Sequence, residues 1–189
     1  MGDADKKPAV FLDRDGVLTK EKSYVVSTDD LEIFPYAKEC VKRIQENGFY
    51  AIVITNQSGV ARGMFSEKEL RKMNSRLILQ TGVDAVYYCP HHPEGIIEKY
   101  RRACRCRKPE AGMITEACLK YGIDRKRSYM VGDRASDILA GQRAGIKTIL
   151  LESGYGTARL EQDVYADYVL QDLKDVVNLL ECNDKEENL

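Results

Sequence analysis

Long apolar runs are missing from this chain. None approaches the ~20 residues that cross a bilayer, so no membrane partner is expected. A surplus of one charge is missing too: Lys and Arg total 29 against 30 Asp and Glu, for a net charge of −1. That balance leaves no basic footprint for nucleic acid and no polybasic patch for a lipid surface. The opening segment, Met1 to Lys7, is polar and lacks the apolar stretch of a signal peptide, so a cytoplasmic location is expected. Internal repeats, low-complexity tracts and long linkers are absent as well. With 189 residues, 43% of them hydrophobic, one domain over 1–189 is expected and two would each be short of core. No heptad seam points to self-association, and a monomer is expected.

What is present is a regular alternation of apolar and helical segments, which predicts an α/β fold with a doubly wound, mainly parallel sheet. Ala9–Leu12, Tyr50–Ile54, Ala85–Tyr88, Tyr129–Gly132 and Lys147–Leu151 read as strands, with Tyr168–Leu170 as a further edge strand. Helices are expected from about Tyr36 to Asn47, from the Ser66/Glu69 capping box to about Gln80, over Met113–Tyr121, and after Asp133 to about Ala144. A last amphipathic helix starts at Asp172, and the charged tail, 181–189, is expected to fray. No insertion after the first or second strand is large enough for a folded cap domain, which leaves an open cleft walled by loops.

Doubly wound sheets bind ligands outside the carboxyl ends of their strands. Three strands end there in polar residues: Asp13, Thr55 and Asp133. In an extended chain Asp13 and Asp15 point the same way, and two anions in one crevice call for a divalent cation or a shared proton. Together with Lys108 the set supplies what phosphoryl transfer needs. Asp13 is the candidate nucleophile. Asp15 could protonate the leaving oxygen and then activate water. Thr55 and the backbone amides of Asn56 and Gln57 can donate to phosphate oxygens, and Lys108 offsets charge. Asp133, with Asp137 one helical turn later, offers hard oxygen ligands for Mg²⁺. Taken singly, Thr55 could close a turn, Lys108 could be a solvated surface charge and Asp133 could cap a helix.

Six cysteines complete the inventory. Cys40, Cys118 and Cys182 are scattered, as free thiols are. Cys89-x-His91 and Cys104-x-Cys106 instead supply a full tetrahedral set for Zn²⁺ in a loop over about 89–106. Four ligands leave no open position for water, so this zinc is expected to be structural, with His92 outside the shell. Fixing Cys106 fixes the backbone that aims Arg107 and Lys108.

The set Asp13-x-Asp15-Gly16, Ile54-Thr55-Asn56, Arg107-Lys108-Pro109 and Gly132-Asp133-x-x-x-Asp137 resembles the four motifs of the haloacid dehalogenase superfamily of phosphatases, over essentially the whole chain from Phe11 to Leu151. The resemblance implies a Rossmann-like fold with Asp13 as nucleophile, Asp15 as general acid/base, and Thr55 and Lys108 as the phosphate-stabilising pair. It also implies Mg²⁺ on Asp13, the Asp15 carbonyl and Asp133. Val17 departs from the threonine common there, at a position expected to pack.

A narrower resemblance, carried by Thr55-Asn56-Gln57-Ser58-Gly59-Val60-Ala61-Arg62-Gly63, Cys89-Pro90-His91-His92-Pro93 and Cys104-Arg105-Cys106-Arg107-Lys108-Pro109, is to the D-glycero-D-manno-heptose 1,7-bisphosphate phosphatases. Arg134 is instead similar to the related histidinol-phosphate phosphatases. The implied activity is removal of the C7 phosphate of a heptose bisphosphate before nucleotide activation, in the biosynthesis that feeds lipopolysaccharide. By resemblance the substrate contacts are Glu21, Lys22, Ser23, Tyr24, Asn56, Gln57, Ser58, Arg62, Arg107 and Arg134. Several cations around one cleft suit a second phosphate. Two other readings stay open: a histidinol-phosphate phosphatase, and a non-catalytic zinc domain that only recognises phosphate.

Overall fold

The computed structural model describes residues 6–22, 24–155 and 163–187, with side chains in the last helix to Cys182. Six strands form one sheet in the order β3-β2-β1-β4-β5-β6: β1 (Ala9–Leu12), β2 (Tyr50–Asn56), β3 (Ala85–Cys89), β4 (Tyr129–Gly132), β5 (Lys147–Leu151) and β6 (Tyr168–Leu170). Every pairing is parallel. The helices are α1 (Ala37–Glu46), α2 (Glu67–Thr81), α3 (Gly112–Tyr121), α4 (Ala135–Ala144) and α5 (Leu173–Glu187).

Both faces of the sheet are covered, which is why its strands are apolar without alternation. Val10 and Leu12 of β1 pack among residues of α1, α2 and α5. Ala9 and Phe11 face the other way, among residues of α3 and α4. Val17 is buried, as its packing role requires. Among the described residues no helix or strand of the sheet interrupts the connection from β1 to α1 or that from β2 to α2.

Local differences have local causes. Strand β2 runs two residues further, to Asn56, because β3 pairs with it through Asn56 and Cys89. Only half of the capping box forms. Ser66 Oγ accepts from the Glu69 N–H, while the Glu69 side chain goes to Thr28 and Lys72. The loop after β3 holds a 3₁₀ turn at Glu98–Tyr100. The tail, expected to fray from Glu181, continues as helix to Glu187, and Arg43 of α1 grips Glu181 at 2.7 Å.

Candidate active site

The order β2-β1-β4 sets Thr55, Asp13 and Asp133 side by side at one edge of the sheet. The Asp13 N–H continues the ladder to Val131 O at 2.9 Å, which holds its side chain at the strand mouth. Lys108 arrives from the cysteine loop and is almost fully buried. Its Nζ lies 2.8 Å from Asp13 Oδ1 and 2.6 Å from Asp137 Oδ1, and donates to Ile54 O at 2.7 Å. Asn56 clamps the Lys108 backbone from both sides, accepting from its N–H at 3.0 Å and donating to its carbonyl at 2.9 Å. Lys108 is therefore a buried counter-charge rather than a surface lysine.

Asp13 and Asp15 do not share one environment. Asp15 turns to Arg14, which is 1% exposed and donates to both of its oxygens at 2.7 to 3.0 Å. Thr19 and Gln57 add hydrogen bonds at 3.0 Å each. Burial pushes the Asp15 carboxyl up, but the Arg14 charge and these hydrogen bonds outweigh it and hold it below the usual range. Asp13 goes the other way. Burial, with Asp137 and Asp15 nearby, outweighs Lys108 and raises it to about 6. Two neighbouring carboxylates thus carry different proton affinities, Asp13 the higher and Asp15 the lower.

Asp133, fully buried, is raised to about 7 by burial and by the charges of Asp13 and Asp137. Its Oδ2 accepts from the Tyr155 N–H at 3.0 Å, whereas Oδ1 has no hydrogen-bond partner among the described residues. Ligand oxygens of Asp13, Asp133 and Asp137 lie within 4.8 Å of one another. Asp137 also accepts from the Arg134 N–H at 3.1 Å, and its Oδ1 meets Lys108 as an ion contact without a hydrogen bond of its own. Three carboxylates against one ammonium leave a local charge of about −2, and an orphaned hard oxygen faces it. A divalent cation such as Mg²⁺ fits that set.

The cysteine loop converges equally well. Sγ atoms of Cys89, Cys104 and Cys106 stand 3.1 to 3.4 Å apart, and His91 Nδ1 is 3.5 and 3.6 Å from Cys106 and Cys89. Zn–S bonds of about 2.3 Å in a tetrahedron need S–S spacings of roughly 3.8 Å, so small movements complete the set. Cys89 donates to Cys106 and draws that thiol down to about 5, towards the thiolate a metal requires.

Around these groups lies a cleft of about 220 Å³, lined among others by Glu21, Lys22, Tyr24, Asn56, Gln57, Ser58, Arg107 and Arg134. Ser23 lies outside the described residues. Several side chains are engaged differently from the sequence expectation. The Gln57 N–H donates to Cys89 O at 2.8 Å and is not available to phosphate, while its amide side chain bridges Asp15 and Thr55. Arg134 is paired with Glu21 at 2.9 Å and stacks on the Tyr155 ring at 4.4 Å, so it is not a free cation. Lys22 donates to Asp30 O and reaches Glu32. Arg62 and Arg107 have no carboxylate partner among the described residues; Arg62 stands by His92, and Arg107 donates to His91 O at 3.3 Å.

Sequence reasoning missed Arg14, Thr19, Gly154 and Tyr155. Gly154 touches Asp133 so closely that a Cβ there would stand 2.0 Å from Oδ2, and one on Gly16 (φ +87°) would stand 2.4 Å from it. The Gly-Tyr-Gly run after β5 was the available signal for Gly154 and Tyr155.

Residues 105–176 match the family model described as HAD-hydrolase-like. The chain is 43% identical to the D-glycero-beta-D-manno-heptose-1,7-bisphosphate 7-phosphatase of Haemophilus ducreyi, over 90% of this chain and 97% of that protein. It is 42% identical to the D-glycero-alpha-D-manno-heptose-1,7-bisphosphate 7-phosphatase of Photorhabdus laumondii, over 82% and 87%. Among solved structures, the D,D-heptose 1,7-bisphosphate phosphatase of B. bronchiseptica, complexed with magnesium and phosphate, superposes with a TM-score of 0.82 at 30% identity, over 93% of this chain and 99% of that one. The chain belongs to the haloacid dehalogenase-like hydrolase family, in the branch of these phosphatases, and is a phosphoric monoester hydrolase.

Proposed function

We propose that this protein, acting as a single cytoplasmic domain and a monomer, removes the C7 phosphate of D-glycero-D-manno-heptose 1,7-bisphosphate to leave the 1-phosphate. What supports the reading is the convergence of Asp13, Asp15, Lys108 and Asp133 at one strand mouth, with the Arg107 guanidinium in the same cleft and without a carboxylate partner among the described residues. Arg107 lines the cleft and feels the charge of Arg62, and neither has a carboxylate partner among the described residues. A substrate with two phosphates answers both halves; the named relatives act on such a substrate. A pure phosphate binder has little use for carboxylates facing its anion.

Asp13 attacks phosphorus with a carboxylate oxygen, and the bond to the sugar oxygen breaks as an aspartyl-phosphate forms. Lys108 offsets the charge gathered on Asp13 and the phosphoryl oxygens, and Thr55, hydrogen-bonded to Gln57 at 2.9 Å, faces them from β2. Asp15 gives a proton to the leaving sugar oxygen. It then takes one from the water that attacks the aspartyl-phosphate, which releases phosphate and frees Asp13. The grip of Arg14, Thr19 and Gln57 favours the ionised form that the second step uses, so Asp15 takes up from solvent, before the sugar oxygen leaves, the proton that it gives in the first step. Asp13, the Asp15 carbonyl and Asp133 would hold Mg²⁺, with Asp137 orienting Lys108. The metal, when bound, neutralises charge on the transferring phosphoryl group. Cys89, His91, Cys104 and Cys106 would hold a structural Zn²⁺ that fixes the approach of Arg107 and Lys108.

Side-by-side kinetics on heptose 1,7-bisphosphate and histidinol phosphate test this reading. The expected result is a higher kcat/KM for the bisphosphate, lost in Asp13→Asn. A preference for histidinol phosphate would overturn the substrate, and no turnover of either would overturn the enzyme reading.

A further inference from the structure

The three thiols of the cysteine loop are close enough to react with one another, and they differ in access. Cys104 and Cys106 Sγ are 3.1 Å apart, while Cys89 Sγ stands 3.2 Å from Cys106 and 3.4 Å from Cys104. Cys89 ends β3 and is buried, paired with Asn56 in the ladder, its carbonyl taken by the Gln57 N–H. Cys104 and Cys106 are half-buried, in a stretch with no helix or strand. A small soluble oxidant therefore meets Cys104 and Cys106 before Cys89.

Charge singles out the same two residues. Arg101, Arg102, Arg105 and Arg107 crowd the chain around them, and none of the four pairs with a carboxylate among the described residues. Arg107 feels the charge of all three cysteines, and Arg102 Nη2 lies 2.8 Å from His91 Nε2. A thiolate among guanidinium groups is a reactive one. The other cysteines lack this setting: Cys40 and Cys118 are buried singly, and Cys182 lies exposed on α5. A sulfenic acid formed in this cluster has a second thiolate in reach, which traps it as a disulfide before it oxidises further. A bridge between two accessible cysteines only two positions apart is of the labile, readily reduced kind.

We propose that Cys104 and Cys106 form a reversible oxidation site for hydroperoxides, whose disulfide expels zinc and releases the Arg107–Lys108 segment from β3. This inference rests on the zinc assignment. Cys106 Sγ attacks one peroxide oxygen; the O–O bond breaks, and the other oxygen departs as hydroxide or alkoxide and is protonated by water. Cys104 Sγ then attacks the sulfenic sulfur; the S–S bond forms, the S–O bond breaks, and hydroxide leaves. The two thiolates give up two electrons and the peroxide takes them. Cys89 and His91 remain, two ligands where a closed zinc site needs four. Cys106 stands two positions before Lys108, whose Nζ lies 2.8 Å from Asp13 Oδ1. Asn56 still clamps the Lys108 backbone, so the site loses precision and does not come apart.

The experiment treats the zinc-loaded protein with hydrogen peroxide. Zinc release is followed with a chromogenic indicator, disulfides by peptide mass mapping, folding by circular dichroism, and kcat on p-nitrophenyl phosphate. The expected result is that zinc leaves in step with a Cys104–Cys106 disulfide while the fold stays native. In that state kcat falls on the order of tenfold, as a misplaced Lys108 requires, and a thiol reductant with added Zn²⁺ restores both zinc and rate. Cys182→Ser should respond as wild type does. Zinc that stays bound while Cys182 oxidises overturns the site and leaves the zinc assignment standing. A bridge to Cys89, sulfinic acid in place of a disulfide, or full kcat after zinc has left each overturns it as well. A purified protein that holds no zinc overturns the assignment and the oxidation site together.

Discussion

Replacing Asp133 by asparagine is expected to stabilise the magnesium-free protein while it abolishes activity. Asp133 is fully buried, and its carboxyl is raised from 3.8 to about 7 by burial and by the charges of Asp13 and Asp137. A carboxylate whose folded pKa lies above its unfolded one favours folding at low pH and loses that advantage as pH rises. Below pH 3.8 both states are protonated and there is no penalty. Between 3.8 and about 7 the unfolded chain gives up the proton that the folded protein keeps, so stability falls until pH passes the folded value. The difference between the two values corresponds to about 4 kcal/mol at neutral pH and above. Asparagine removes the charge, yet its carbonyl still accepts from the Tyr155 N–H now bound at 3.0 Å. Allowing for an imperfect fit of the amide, a net gain of about 1–3 kcal/mol should remain, or about 2–4 °C in Tm per kcal/mol for a chain of this length. Thermal unfolding followed by circular dichroism between about pH 5 and about pH 8 reads this directly. Wild type should lose stability across the range and regain it with saturating magnesium, by about 2.7 kcal/mol at a hundredfold excess over Kd. Asp133→Asn should be flatter and indifferent to magnesium. A variant less stable than wild type near pH 8 in magnesium-free buffer would refute the account of Asp133 as a charge held against its preference.

Three further outcomes follow from the same geometry. Asp15→Asn should still bind magnesium, because only the backbone carbonyl of residue 15 is assigned to the metal, but turnover should fall by about 10²–10⁴; near-normal turnover in steady-state assays would move the proton work elsewhere. Removing zinc with a selective chelator from a protein whose circular dichroism stays native should lower kcat, since a displacement of about 1 Å at Lys108 can cost on the order of 10² in rate; full activity would end that idea. Gly154→Ala puts a Cβ 2.0 Å from Asp133 Oδ2, so magnesium affinity measured by calorimetry should drop, and an unchanged Kd would show that this loop yields easily.

Much of the molecule is local in origin and so was readable along the chain. Apolar runs of three to five residues that stop at Asp13, Thr55 and Gly132 mark buried parallel strands whatever their neighbours are. Two paired Cys/His elements close in sequence offer a metal-ligand set by chemistry alone, and the structure brings all four side chains together. What the chain order could not show is which polar groups pair once loops from distant segments meet. Gln57 reaches Asp15 across 42 positions, and Tyr155 reaches Asp133 across 22. Arg134 reads as an anion binder until Glu21, 113 positions away, neutralises it. The same holds for the Gln57 N–H, free on paper and taken by Cys89 in the fold. Asp13 and Asp15 look alike in sequence. Burial beside Lys108 and Asp137 for the one, and the Arg14 fork for the other, set their proton affinities apart, because a carboxylate's pKa belongs to the charges and solvent around it and not to its place in the chain.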